Sequence, residues 1–111
     1  VVIVTGGTGN PYFTTDTAAC LRGVELQVDT VLKATNVDGI YSGDPKKDAT
    51  ATKFDTISFD QVLEKQLGVM DLTAIVLCKE NNMPLVVFDA SVKGTLLALV
   101  AGQSIGTKVV Q

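Results

Sequence analysis

The run Val1-Val2-Ile3-Val4-Thr5-Gly6-Gly7-Thr8-Gly9-Asn10-Pro11-Tyr12-Phe13-Thr14-Thr15-Asp16 decides the fold class. Val1 to Thr5 is a continuous apolar run, the pattern of a strand covered on both faces, where a half-exposed strand would alternate. The glycine-rich stretch Gly6 to Pro11 must be loop. A helix is expected from about Asp16 to Gln27, with Ala18, Leu21, Val24 and Val28 as its apolar stripe and Thr14 or Thr15 as its N-cap. Buried strand, glycine loop and helix form the unit from which parallel α/β sheets are built.

The rest of the chain repeats that alternation. Thr30 to Ala34 reads as a second buried strand and Asn36 to Pro45 as a long, turn-rich loop. A short strand near Phe54 to Ile57 leads into Ser58-Phe59-Asp60-Gln61, a capping-box pattern that opens a helix to about Leu67. Asp71 caps a further apolar helix that stops around Asn81-Asn82, just before Pro84. Leu85 to Phe88 is a third buried strand, Ser91 starts a last helix ending at Gly102, and Thr107 to Val110 closes the chain as a strand. Apolar strands alternating with helices predict a mainly parallel α/β sheet.

Composition excludes several classes. The 111 residues suffice for one domain at most, and 46% apolar with 19% charged residues is too hydrophobic for intrinsic disorder. No run approaches the roughly 18 apolar residues of a membrane helix. Val1 to Val4 lack an initiator Met and a basic leader, and read as a strand that begins abruptly, as in one part of a longer chain. Nine Lys+Arg against 12 Asp+Glu leave a net charge of −3 with no basic run, which argues against a surface tracking nucleic-acid phosphates. The absence of His removes Ser-His-Asp triads, a His base and His-ligated zinc. Cys20 and Cys78 each sit in an apolar helical pattern and read as buried free thiols, which suit a reducing cytoplasm, ahead of the alternative of a disulfide.

Two loops that follow strands carry the chemistry, because ligands of open α/β sheets bind beyond the carboxyl ends of the strands. In the first, Thr5 to Asp16, glycines bring backbone N–H groups close to an anion, and the helix start adds a dipole and free donors. Thr8, Asn10, Thr14 and Thr15 add hydrogen-bonding side chains, and Tyr12 or Phe13 a flat apolar wall. It is neither a dinucleotide fingerprint nor a Walker A loop, and composition leaves a tight βα turn and a phosphate or nucleotide site on equal terms. The second, Lys33 to Pro45, has a tight-turn signal at Asp38-Gly39 and an extended ending at Asp44-Pro45. Composition favours a plain connection there over an adenosine pocket built from Tyr41 against the base with Asp44 or Thr35 as acceptors.

The stretch Thr35-Asn36-Val37-Asp38-Gly39-Ile40-Tyr41-Ser42-Gly43-Asp44-Pro45 resembles the nucleotide-loop signature of the amino acid kinase superfamily, shared by aspartate, glutamate and uridylate kinases. More specifically, Gly7-Thr8-Gly9-Asn10-Pro11-Tyr12-Phe13-Thr14-Thr15-Asp16-Thr17-Ala18-Ala19, followed by Arg22-Gly23, is similar to the acceptor loop of the bacterial uridylate (UMP) kinases. The resemblance runs on through Val62-Leu63-Glu64-Lys65, Val69-Met70-Asp71-Leu72 and Gly106-Thr107, so it covers essentially the whole chain and matches the carboxyl-terminal half of that family. Gly43 stands where alanine is common.

The resemblance implies an α/β fold: a three-layer sandwich with a mainly parallel sheet, the amino acid kinase fold. Residues 1–111 would be the carboxyl-terminal, nucleotide-binding portion of one such domain, with the amino-terminal half absent. It implies ATP-dependent phosphorylation of UMP to UDP with Mg²⁺, in the bacterial cytoplasm, usually by a homohexamer, with neither nucleic acid nor membrane as partner. Carried over residue by residue, Thr8, Gly9, Asn10, Pro11, Tyr12, Phe13, Thr14 and Thr15 would hold UMP. Thr35, Tyr41 and Asp44 would hold ATP, with Asn36 a weaker addition; no residue is assigned to a metal. Asp16 aligns with a carboxylate that, in related kinases, organises lysines around the transferring phosphoryl group, and serves equally well as a first-turn acid facing the helix dipole. Lys33 reads as a strand-end surface charge.

UMP's own phosphate is the nucleophile and needs no His base, whereas the loops hold almost no Lys or Arg to face a triphosphate. The resemblance implies that those cations lie in the other half, so residues 1–111 alone are expected to be inactive. Two other readings stand beside this one. A kinase acting on an amino-acid carboxylate shares the Asp38-Gly39 loop but leaves Asn10 to Thr15 unexplained. A non-catalytic nucleotide-binding or assembly module would use Asp71 and the helix after it for a subunit contact.

Overall fold

In the computed structural model, which describes residues 1–111, every expected interior element forms. In chain order these are α1 (Thr15–Glu25), β1 (Val31–Thr35), β2 (Ile40–Tyr41), β3 (Lys53–Phe54), β4 (Thr56–Ser58), α2 (Phe59–Glu64), α3 (Leu72–Glu80), β5 (Leu85–Asp89), α4 (Thr95–Val100) and β6 (Thr107–Val110).

Side-chain caps fix three helix starts. The Thr14 hydroxyl accepts the Thr17 N–H at 3.4 Å, and the Asp71 carboxylate accepts that of Ala74 at 2.7 Å. At α2 the capping box closes both ways: Ser58 Oγ accepts the Gln61 N–H at 3.1 Å and Gln61 Oε1 accepts the Ser58 N–H at 3.2 Å. All four helices end alike, with a left-handed residue whose N–H bonds back three residues while the next N–H bonds back five. The left-handed residues are Gln27, Gln66, Asn82 and Gly102. α1 and α2 therefore stop at Glu25 and Glu64, two or three residues before the expected Gln27 and Leu67.

Two expectations fail. Val1 to Thr5 joins no ladder, and its side chains are exposed, from 50% at Val4 to 126% at Val1. A strand buried on both faces needs a pairing edge and a covering layer on each side, and these 111 residues supply none of them to this segment. The last helix begins at Thr95 rather than Ser91. Asp89 Oδ1 captures both the Ser91 N–H (2.8 Å) and its hydroxyl (2.6 Å) in a local turn, and the helix waits for Gly94.

The main sheet has the order β1-β5-β6-β4. β1 pairs β5 and β4 pairs β6 in parallel, while β5 and β6 are antiparallel, so the sheet is mixed but mainly parallel. β2 and β3 form a separate antiparallel pair. The central β5 is buried from Leu85 to Phe88, and Ile57, Phe59, Val62, Ile75 and Val109 pack with Leu85 and Val87 into one core. α1 lies against α3, and both cysteines are buried there as free thiols, as expected.

The turn into β6 leaves no slack. Gly106 has φ +73°, and a Cβ there would lie 2.0 Å from the Val87 carbonyl oxygen of β5. Gly106→Ala combines left-handed strain with a backbone clash and is expected to cost about 2–4 kcal/mol. The measurement is a fall in urea midpoint at unchanged slope; a cost below about 0.5 kcal/mol, the range of neutral surface changes, would contradict this packing.

Candidate functional site

α1 places the first loop. Gly6, Gly7, Gly9 and Tyr12 all have positive φ, which folds residues 6–12 into successive turns. The Thr8 hydroxyl accepts the Asn10 N–H at 3.1 Å, and the Asn10 amide donates to the Thr8 carbonyl at 3.3 Å. Gly9 to Thr15 are exposed, with Tyr12 fully so and Phe13 half so. At the foot of the loop, the Thr14 and Thr17 hydroxyls donate to the Asp71 carboxylate, the latter at 3.2 Å. Asp71 thus caps α3 and anchors the start of α1 together. Its capping role was readable in the sequence; a bond spanning 54 residues left no local signal.

The second loop forms a cleft of about 760 Å³, a volume typical of small-ligand sites. Thr35, Tyr41 and Asp44 line it, together with Val69 and two cations, Lys33 and Lys65. Asn36 and the segment Thr8 to Thr15 do not. β1 ends in the Thr35 hydroxyl, which accepts the Val37 N–H at 2.8 Å and turns the chain away from the sheet. Asp44 Oδ1 accepts the Lys46 N–H at 2.9 Å and its carbonyl accepts those of Lys47 and Asp48, which closes the far end of the loop. The Tyr41 hydroxyl donates to Asp38 Oδ1 at 2.8 Å, and this bond to a carboxylate raises the phenol above its ordinary value.

Between the two loops stands an unexpected contact. Lys33 is not a surface charge: its side chain is only 23% exposed, and its ammonium donates to Asp16 Oδ2 at 3.2 Å and to the Val69 carbonyl at 2.7 Å. A β1 residue whose side chain lies along apolar neighbours can reach an acid of the next packed element, so a polar residue inside a buried strand is the one sequence signal available. Asp16 sits in the first turn of α1, and its partner Lys33 reaches the cleft. The ion pair therefore links both loops. Lys65, the second missed cation, is exposed and lies 5.6 Å over the Phe54 ring.

Cys20 and Cys78 are both buried as free thiols, and the Cys20 thiol donates to Met70 Sδ at 3.9 Å. The neighbouring Cys78 thiol and then burial push the Cys20 thiol far up, aided by the carboxylate charges of Asp16 and Asp71, while the Cys20 thiol lowers Cys78. No three His, Cys, Asp or Glu side chains converge as a cation cage.

Comparison with known proteins places this geometry. The amino acid kinase family matches residues 1–89. The uridylate kinase of Alcanivorax borkumensis is 61% identical over 109 residues, 98% of this chain and 43% of that protein. The uridylate kinase of Bacteroides thetaiotaomicron is 58% identical over the same share of this chain and 46% of its own length. The chain thus spans less than half the length of these curated relatives. Among solved structures, the UMP kinase from Bacillus anthracis superposes with a TM-score of 0.91 at 30% identity, over 94% of this chain and 43% of that one. An aspartate kinase from Synechocystis reaches 0.69 at 26% identity, over 86% of this chain and 15% of that one.

The cleft wall offers a check that needs no relative. Asp38→Asn removes the negative acceptor, so the Tyr41 phenol should ionise at lower pH than in the parent protein. Difference titration of phenolate absorbance against Tyr41→Phe reads this directly; an unchanged or higher midpoint would mean that the Asp38 bond does not form.

Proposed function

The chain belongs to the amino acid kinase family, and on that premise we propose that it is the acceptor-loop and adenosine-binding half of a uridylate kinase, transferring the γ-phosphoryl group of ATP to UMP. The observation that carries this reading is the 58–61% identity to proteins named uridylate kinase over nearly all of the chain. The amino-acid-carboxylate reading rests on a lower likeness, 26% identity to an aspartate kinase.

In this reading the turn-rich loop from Thr8 to Thr15 receives UMP, with backbone N–H groups and the start of α1 facing anionic oxygens. Of the cleft-lining residues, Tyr41 would lie against the adenine and Thr35 and Asp44 would accept from the base or ribose, with Asn36 a weaker addition next to Thr35. Asp16 is the acid of the reacting end. Its ion pair with Lys33 holds a cation beside the place where the two nucleotides meet. Phosphoryl transfer asks chiefly for in-line positioning and for neutralisation of anionic oxygens, and these residues supply position more than charge. No cluster of carboxylates in this chain would hold Mg²⁺ by itself, so the ion would enter with the nucleotide and would supply neutralisation of phosphate charge. The fit is completed by residues outside this chain, in a homohexamer of the bacterial cytoplasm, and residues 1–111 form one part of a single domain.

The test is an ADP-release assay on the full natural protein, offered UMP, CMP, aspartate and glutamate separately. UMP should stimulate most. Stimulation by aspartate or glutamate without UMP would replace this reading with the carboxylate kinase, and no stimulation by any would leave a binding module. The isolated 111 residues should form no UDP, and robust turnover by them would refute the assignment of the phosphate cations to the rest of the protein.

A further inference from the structure

We infer that Lys33 contacts phosphate: two of its ammonium donors are held by Asp16 and the Val69 carbonyl, and the third takes an anionic oxygen of the nucleotide in the cleft. The inference rests on the reading of that cleft as a nucleotide site and adds a residue to it.

An ammonium group has three N–H donors and no acceptor. The Asp16 carboxylate takes one at 3.2 Å and the Val69 carbonyl takes another at 2.7 Å. The third has no protein partner, and the residue lines the same cleft as Thr35, Tyr41 and Asp44. A lysine that served only to tie α1 to the loop before α3 would need no face on that cleft. The other cation of the cleft, Lys65, is exposed to water and placed over the Phe54 ring, so it is the weaker candidate for a fixed anion contact. Lys33 is only 23% exposed, and its anchors hold it in place before any ligand arrives. A preordered, partly desolvated ammonium gives a stronger charge-assisted hydrogen bond than a mobile surface one. In a nucleotide the anionic oxygens belong to the phosphates, so a charge-assisted bond from the third donor meets phosphate rather than the neutral sugar or base.

The experiment measures equilibrium binding of ATP, ADP and adenosine by calorimetry to the full natural protein and to two variants. Lys33→Met keeps the apolar stem and removes the ammonium. Lys33→Gln keeps two N–H donors for the Asp16 and Val69 anchors and lacks the third, so it covers the case in which Lys33→Met fails to fold. Both should weaken ATP and ADP about tenfold or more, the range of a charged hydrogen bond, and leave adenosine within about twofold. Equal losses for ATP and adenosine would make Lys33 a purely structural tie and overturn the inference, as would unchanged binding of all three. If the parent protein binds neither ATP nor adenosine, the nucleotide reading of the cleft fails first and the inference falls with it.

Discussion

The buried hydroxyl of Thr107 is the contact on which the cleft depends. It accepts the Ile40 N–H at 2.9 Å and donates to the Phe54 carbonyl, so one side chain of β6 grips both strands of the small β2–β3 pair. Thr107 is fully buried and paired with Val87 of the central strand, whose partner ladder to β1 starts the same loop from its other end. The loop between Thr35 and Tyr41 is thereby clamped at both ends to adjacent parts of one sheet. An apolar residue in place of Thr107 would leave a buried donor and a buried acceptor unpaired, a cost of the order of 1–3 kcal/mol each. The clamp sets where the loop stands on the sheet, and the Thr35 and Asp44 turns shape it from there.

The features written locally in the sequence were the legible ones. A cap needs one side chain and a backbone three residues away, so Thr14, Ser58 and Asp71 announced the helix starts they make. Helix ends were less readable, because a left-handed residue is expected to be glycine or asparagine, and two of the four here are glutamines. Nothing in the pattern of Gln27 or Gln66 marks them, and tertiary packing overrides their preference. The apolar strands from Val31 and Leu85 were legible because β5 is covered on both faces, whereas the equally apolar Val1 to Thr5 finds no partner here. Hydrophobicity states a need for cover; it does not say which residues meet it.

The candidate site was legible as two loops but not as one place. Each loop has turn chemistry of its own, visible in glycines, Asn10, Asp38 and Asp44. Their connection runs through Asp16 and Lys33, 17 residues apart, and through Asp71, more than 50 residues from its threonines. Such bonds follow from how α1 lies on β1 and α3, and no residue pattern encodes that packing directly. The reading of Lys33 as a surface charge failed for the same reason: strand position predicts which way a side chain leaves the sheet, not what carboxylate waits there.

The charge balance gains a spatial meaning from these contacts. With a net charge of −3 the chain repels polyanions on average, yet two of its nine cations line the cleft behind Thr35. One of them is matched by Asp16, which lowers the local positive field while fixing where the remaining donor lies. The start of α1 is held at two points, through Asp16 to the cleft and through Thr14 and Thr17 to α3. The exposed run from Gly9 to Phe13 leads directly into this fixed start.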